Sequence, residues 1–259
     1  MKRIISAAVI LFAVMSVFAE VSMDEAKKIL KQSEDHKAFY NTDFCGSYSI
    51  VHDVPGAGRD VNEAIMYRRD SSKKWVILIT GPSKERGKGY LQSDDCIWFY
   101  DPADGRFTFT SSKDKFRNTN ANNSDFAPQV YYSGYDIQSY EEVKLGSFDC
   151  ILYTLQAKEK NVDYPQLKLW VSKDDGLTRK KEDYSLSGQK LRTTAIAKYQ
   201  SVDGGKVPVN MVIQDNLKGK KVNGKMEYEK TLISISNVKI EKVEDSVYSK
   251  SYLEMMSAR

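Results

Sequence analysis

The spacing of apolar residues changes once, early in the chain. In SMDEAKKILKQSEDHKAFYN, Met23, Ala26, Ile29, Leu30, Ser33 and Ala38 recur roughly at helical spacing, and Ser22 with Glu25 forms a capping box. This predicts one amphipathic helix. From FCGSYSIVHDV onward the spacing becomes alternating, in NEAIMYRR, KKWVILITG, KGYLQSDDCIWFYDP and RFTFTSS. It resumes later in SFDCILYTLQAK, YPQLKLWVSK, LTRKKEDYSL, KLRTTAIAKYQ, KVPVNMVIQD and MEYEKTLISISNVKI. Turn residues divide these runs: DPADGR fits a tight reversal at Gly105, and KDDG and SLSG are hairpin signals.

The stretch GPSKERGKGYL carries glycines and lysines that invite comparison with a phosphate-binding loop. Five residues separate Gly81 from Gly87, Gly89 follows Lys88 where a hydroxyl residue is needed, and a strand pattern follows rather than a helix. The stretch therefore reads as a hairpin. Between residues 111 and 142 the alternation fails, and the chain is rich in Asn, Ser and aromatics. A segment of that length predicts short helices or a lid, packed by Phe116, Phe126, Tyr131 and Tyr132.

About ten or eleven strands, one initial helix and no βαβ alternation predict a mainly β (α+β) fold. Accumulated twist curls so long a meander, which predicts an unclosed antiparallel half-barrel with helices capping an apolar cavity. Alternate residues of a strand share a face. Trp75, Ile77 and Ile79 thus line one side of theirs, and Trp98 and Tyr100 one side of the next. Together with Phe107, Phe109, Leu169 and Trp170 they are the expected cavity wall. The alternative is a core filled by the helix and the lid, with no ligand.

The opening MKRIISAAVILFAVMSVFA places Lys2 and Arg3 before an apolar run and small residues around Ala19, which predicts an export signal over residues 1–19, cleaved after Ala19. Its apolar stretch is shorter than the roughly 20 residues a spanning helix needs. The remainder, 20–259, is expected to be one soluble exported domain. Removing two basic residues and no acidic one lowers the formal charge from +4 to +2, which argues against nucleic acid as the main partner. Cys45, Cys96 and Cys150 lie far apart and are compatible with one disulfide or none. They form no metal motif, and His36 and His52, the two histidines, sit in neither a ligand nor a nucleophile pattern. No catalytic residue, metal or cofactor is expected. The four lysines of KGKKVNGK read as a solvated hairpin loop or a docking patch for anionic headgroups.

The run GPSKERGKGYLQSDDCIWFYDPADGRFTF resembles the middle of the LolA-like outer-membrane lipoprotein-sorting proteins, with Pro82, Gly87, Leu91, Trp98, Tyr100 and Pro102 at the matching positions. Asn123, Ser124, Asp125 and Phe126 resemble that group's Asn/Ser-Asp-Phe segment. Further matches are YPQLKLWVSKDDGLTRKKEDYSLSGQKLRT, VDGGKVPVNM with Gly204 and Pro208, and VEDSVYSKSYLE. The resemblance implies a helix-capped open barrel whose cavity shields acyl chains of lipoproteins or lipids in the periplasm, without catalysis. It further implies handover between an inner-membrane exporter and an outer-membrane acceptor, with transient membrane contact. A scaffold or envelope-stress sensor of the same shape, binding a protein partner, is the other function it leaves open.

Overall fold

The computed structural model describes residues 21–93, 95–203 and 205–258. The expected export signal and its cleavage point lie outside them, as do Asp94 and Gly204. Helix α1 spans Met23–Asp35, and the Ser22 hydroxyl accepts from the Glu25 amide at 3.2 Å, as the capping box predicts. Its buried stripe is Ala26, Ile29, Leu30 and Ser33. Met23 is exposed, one turn before the stripe meets the sheet.

Thirteen strands follow: β1 Phe44–Val54, β2 Gly58–Arg69, β3 Lys74–Gly81, β4 Gly89–Ser93, β5 Cys96–Asp101, β6 Arg106–Thr110, β7 Tyr135–Leu145, β8 Phe148–Ala157, β9 Gln166–Ser172, β10 Thr178–Tyr184, β11 Lys190–Val202, β12 Gly205–Val222 and β13 Lys225–Ile240. All pair antiparallel in one open sheet, in the order β6-β5-β4-β3-β2-β1-β13-β12-β11-β10-β9-β8-β7. The fold class is as the pattern predicts, with more strands than the expected ten or eleven. KGYLQSDDCIWFYDP, which alternates like one strand, is two: Ser93 pairs with Cys96 and the chain reverses between them. YDIQSYEEVKL, placed by its polarity in the lid, is the edge strand β7, whose composition suits an element with one unpaired side.

The GPSKERGKGYL stretch is the turn from β3 to β4, with Gly87 at φ +87°. The lysine-rich run is likewise part of a hairpin, although Lys218, Lys220 and Lys221 already belong to β12 and only Asn223-Gly224 form the tip. Helix α3, Lys250–Ser257, has no counterpart in the predicted elements. It starts at Ser249, whose hydroxyl accepts from the Tyr252 amide, and packs Leu253 against Val76, Leu78, Leu91 and Tyr100.

The order of strands sets the position of everything else. The chain leaves one edge of the sheet at β6 and re-enters at the other edge, β7, so residues 111–134 must cross a whole face. We call that face inner. The crossing segment holds a short 3₁₀ turn, Asn123–Phe126, and the four-residue helix α2, Tyr131–Gly134. Helix α1 covers the β8–β9 part of the same face, where Leu30 meets Ile151, Tyr153, Leu155, Leu167 and Leu169. Helix α3 covers the outer face at β3–β5.

Candidate functional site

Strand β3 is apolar along nearly its whole length because both its faces are covered. Trp75, Ile77 and Ile79 point inward, and Val76 and Leu78 point outward against α3. Register carries this parity across the turn. Ile77 pairs with Tyr90, and Tyr90 with Phe99, which puts Tyr90 and Phe99 inside; Leu91 pairs with Trp98 and faces out. The expected wall is therefore divided between two faces. Trp75, Ile77 and Ile79 lie in the inner core, and Leu169 lies inside beneath α1. Trp98, Tyr100, Phe107 and Phe109 lie on the outer face, where Trp98 meets Phe109 edge-on and Lys250 stands 3.8 Å over the Trp98 ring. Trp170, next to the inward Leu169, also faces out, with the Lys180 ammonium 4.2 Å above it.

The crossing segment behaves as a plug. Phe116 and Phe126 are buried with centroids 4.6 Å apart. Phe116 packs on Tyr90, and Phe126 packs on Tyr48 at 6.1 Å and Trp75 at 6.4 Å. Tyr131 is buried as well, whereas Tyr132, predicted with it, is exposed because α2 turns that side outward. Beside the plug lies a cavity of about 110 Å³. Its apolar part is made by Phe44, Tyr48, Met211, Ile213, Ile233 and Ile235, with Phe126 and Ala127 from the segment above.

The polar end of this cavity comes from α1's exit and from β10–β11. Successive inward rungs pair Asp183 with Arg192 and Lys181 with Thr194. Arg192, 3% exposed, donates to Asp125 through Nη1 at 2.6 Å and Nη2 at 2.7 Å, and through Nε to Asp183. It thereby ties the crossing segment to the wall. Burial alone would raise the Asp125 carboxyl, but the Arg192 guanidinium overrides it and holds it at about 2. Lys181 pairs with Asp183 at 3.1 Å, and Arg68 with Asp70 at 2.8 Å. Lys37, just beyond α1, reaches Thr178 Oγ1 at 3.0 Å and stands 4.8 Å over the Tyr131 ring. Burial first, then the Lys181 charge, lowers its ammonium to about 7.

None of these charged groups was singled out by periodicity. Arg192 and Asp125 are 67 positions apart and Lys37 and Thr178 are 141 apart, so no local pattern joins them. The one signal available was the Asn/Ser-Asp-Phe segment, which here supplies the tether Asp125 and the plug Phe126. The histidines are structurally engaged: His36 Nε2 lies 3.1 Å from the Asp175 carbonyl, and His52 Nδ1 lies 3.2 Å from Thr231 Oγ1. Among the described residues no three His, Cys, Asp or Glu side chains group as metal ligands, and Cys45, Cys96 and Cys150 are free thiols.

The chain has relatives in structure. A LolA superfamily protein from Nitrosomonas europaea superposes with a TM-score of 0.72 at 22% identity, over 88% of this chain and 98% of that one. A domain from Vibrio parahaemolyticus named for outer-membrane lipoprotein sorting gives 0.74 at 16%, over 88% and 97%. A DUF1329 family protein from Desulfovibrio piger gives 0.74 at 19%, over 89% and 98%. No curated protein sequence matches. A family model whose description reads "uncharacterized protein" matches residues 71–255, so the chain belongs to that family, and its fold is that of the LolA superfamily.

Proposed function

We propose that the protein is a periplasmic carrier that holds acyl chains of lipoproteins or lipids, without covalent attachment, between the inner face of its sheet and the segment 111–134. The observation that carries this reading is the apolar cavity between Phe44, Tyr48, Ile213, Ile233 and Ile235 and the plug residue Phe126, in a LolA-like fold. Each methylene moved from water into such a space contributes roughly 0.8 kcal/mol. At about 110 Å³ the cavity is smaller than a ligand pocket of roughly 300–1,000 Å³. A long chain therefore enters only as Phe126 and Phe116 withdraw, and the aromatic contacts they give up are replaced by contacts with the chain.

Export by residues 1–19 delivers the carrier to the periplasm. Cargo there passes from an inner-membrane donor towards an outer-membrane acceptor, with transient contact at each membrane. Binding rather than catalysis fits a site whose charged groups are largely consumed by ion pairs and whose lining includes neither histidine.

Native mass spectrometry and lipid extraction of protein exported by a bacterial host test the proposal. Bound lipid, or stoichiometric uptake of a long-chain fatty acid by delipidated protein, is the expected result. Protein that emerges empty and refuses fatty acids would overturn it and favour a protein-binding scaffold.

A further inference from the structure

The charges around the cavity do not balance at one position. Arg192 is matched by Asp125 and Asp183, Lys181 by Asp183, and Arg68 by Asp70. Lys37 is 9% exposed, yet no carboxylate lies within 4 Å of its ammonium among the described residues. The groups facing it are Thr178 and Lys181 from β10, the Tyr131 ring from α2, and Glu34 from α1. Glu34 is engaged elsewhere, accepting from the Tyr132 amide at 2.7 Å and the Ser133 hydroxyl at 3.1 Å. A buried, unpaired ammonium is costly unless an anion meets it.

A second orphan lies on the same wall. Thr194 is 9% exposed, lines the cavity beside Lys181, and its Oγ1 has no hydrogen-bond partner. The rest of the wall holds the charges already matched, Lys181, Arg68 and Asp125, and then runs on as apolar surface through Ile213, Ile233 and Ile235 to Phe44. The cavity thus has one cation without a carboxylate, one threonine hydroxyl without a partner and a greasy continuation.

Building on the carrier reading, we infer that the cavity selects a single-chain amphiphile with a monoanionic carboxylate head. The Lys37 ammonium is its counter-ion, and the Thr194 hydroxyl donates to its second oxygen. A carboxylate presents two acceptor oxygens, one for the Lys37 ammonium, which has donors beyond the one given to Thr178, and one for the Thr194 hydroxyl. A phosphate monoester carries about −1.5 to −2 at neutral pH, more than one surplus cation neutralises.

Palmitate, hexadecanol and hexadecyl phosphate, competed against a fluorescent fatty-acid probe at pH 6.5 on the mature chain, test this. Wild type is expected to bind palmitate about tenfold or more tightly over hexadecanol, as a hydrogen-bonded charge pair supports. Lys37→Gln should remove most of that preference, chiefly by weakening palmitate. Thr194→Val should reduce it in part. If Lys37→Gln does not fold, the wild-type preference should shrink as pH rises from 6.5 to 9, because the ammonium is lost while the alcohol is unaffected. Equal binding of palmitate and hexadecanol, or a preference untouched by Lys37→Gln and by pH, overturns the headgroup site while the carrier reading stands. Tighter binding of hexadecyl phosphate overturns the carboxylate assignment. If no chain binds at all, the carrier reading fails and this inference fails with it.

Discussion

At the scale of single residues, two charges bear on stability, and one of them on the proposed opening of the cavity. Asp125 is the sole carboxylate by which the crossing segment grips Arg192, and its side chain keeps 16% exposure, so water softens the loss of the pair. Asp125→Asn is expected to cost about 3 kcal/mol, the low end for breaking a buried ion pair, and to speed lipid uptake; urea unfolding and stopped-flow fluorescence measure the two. Lys37 works in the opposite sense. Its folded value of about 7 lies below the roughly 10.4 of an unfolded lysine, so between those values the unfolded chain binds more protons and Lys37 lets stability climb with pH. Lys37→Met should therefore be more stable than wild type at pH 6, with the gap closing towards pH 10, in urea midpoints taken across that range. Lys37 was not legible in the sequence, and Asp125 stood there only within the Asn/Ser-Asp-Phe resemblance, without its role. A lysine after a helix and an aspartate in a polar loop look solvated until strands from distant positions bury them.

At the scale of elements, local signals were reliable where they were complete in themselves. Ser22 and Glu25 predicted the start of α1, and Ser22→Ala is expected to cost about 1 kcal/mol in thermal or urea unfolding. Gly105 marked its reversal, taking φ +63°. Helix α3 and β7 escaped because one is short and the other is a polar edge, and both take their form from what they pack or pair against. Gly89 illustrates that dependence. A Cβ there would sit 2.6 Å from Leu253 Cδ2 and 2.8 Å from the Ile77 carbonyl, so α3 rests on this strand only because the residue is glycine. Gly89→Ala should destabilise by about 1–3 kcal/mol and lift α3 off the sheet, seen as faster amide exchange in residues 250–257.

At the scale of the whole molecule, one topological fact positions the candidate site: the strands at the two edges are consecutive in the chain, so their connection must cross the sheet and becomes the plug. This divides the aromatics into those that meet the plug and those that do not. Trp75→Ala should impair acyl-chain binding and cost about 3–5 kcal/mol of stability. Trp98→Ala, on the outer face, should leave chain affinity within about twofold; comparable losses in both would place the binding site elsewhere. The sequence by itself determined the period of most runs, the helix start, most of the turns and the strands' antiparallel succession, because these depend on residues within a few positions of each other. It also showed that Trp75, Ile77 and Ile79 share one face and that Trp98 and Tyr100 share another. Only the tertiary structure decided that those faces are opposite, since a single reversal between Ser93 and Cys96 sets the pairing and a shift of one residue exchanges inside for outside. The charged end of the cavity divides in the same way: Arg68–Asp70 and Lys181–Asp183 are neighbours along the chain, whereas Arg192 meets Asp125 and Lys37 meets Thr178 only through the order of the strands and the crossing of the sheet face.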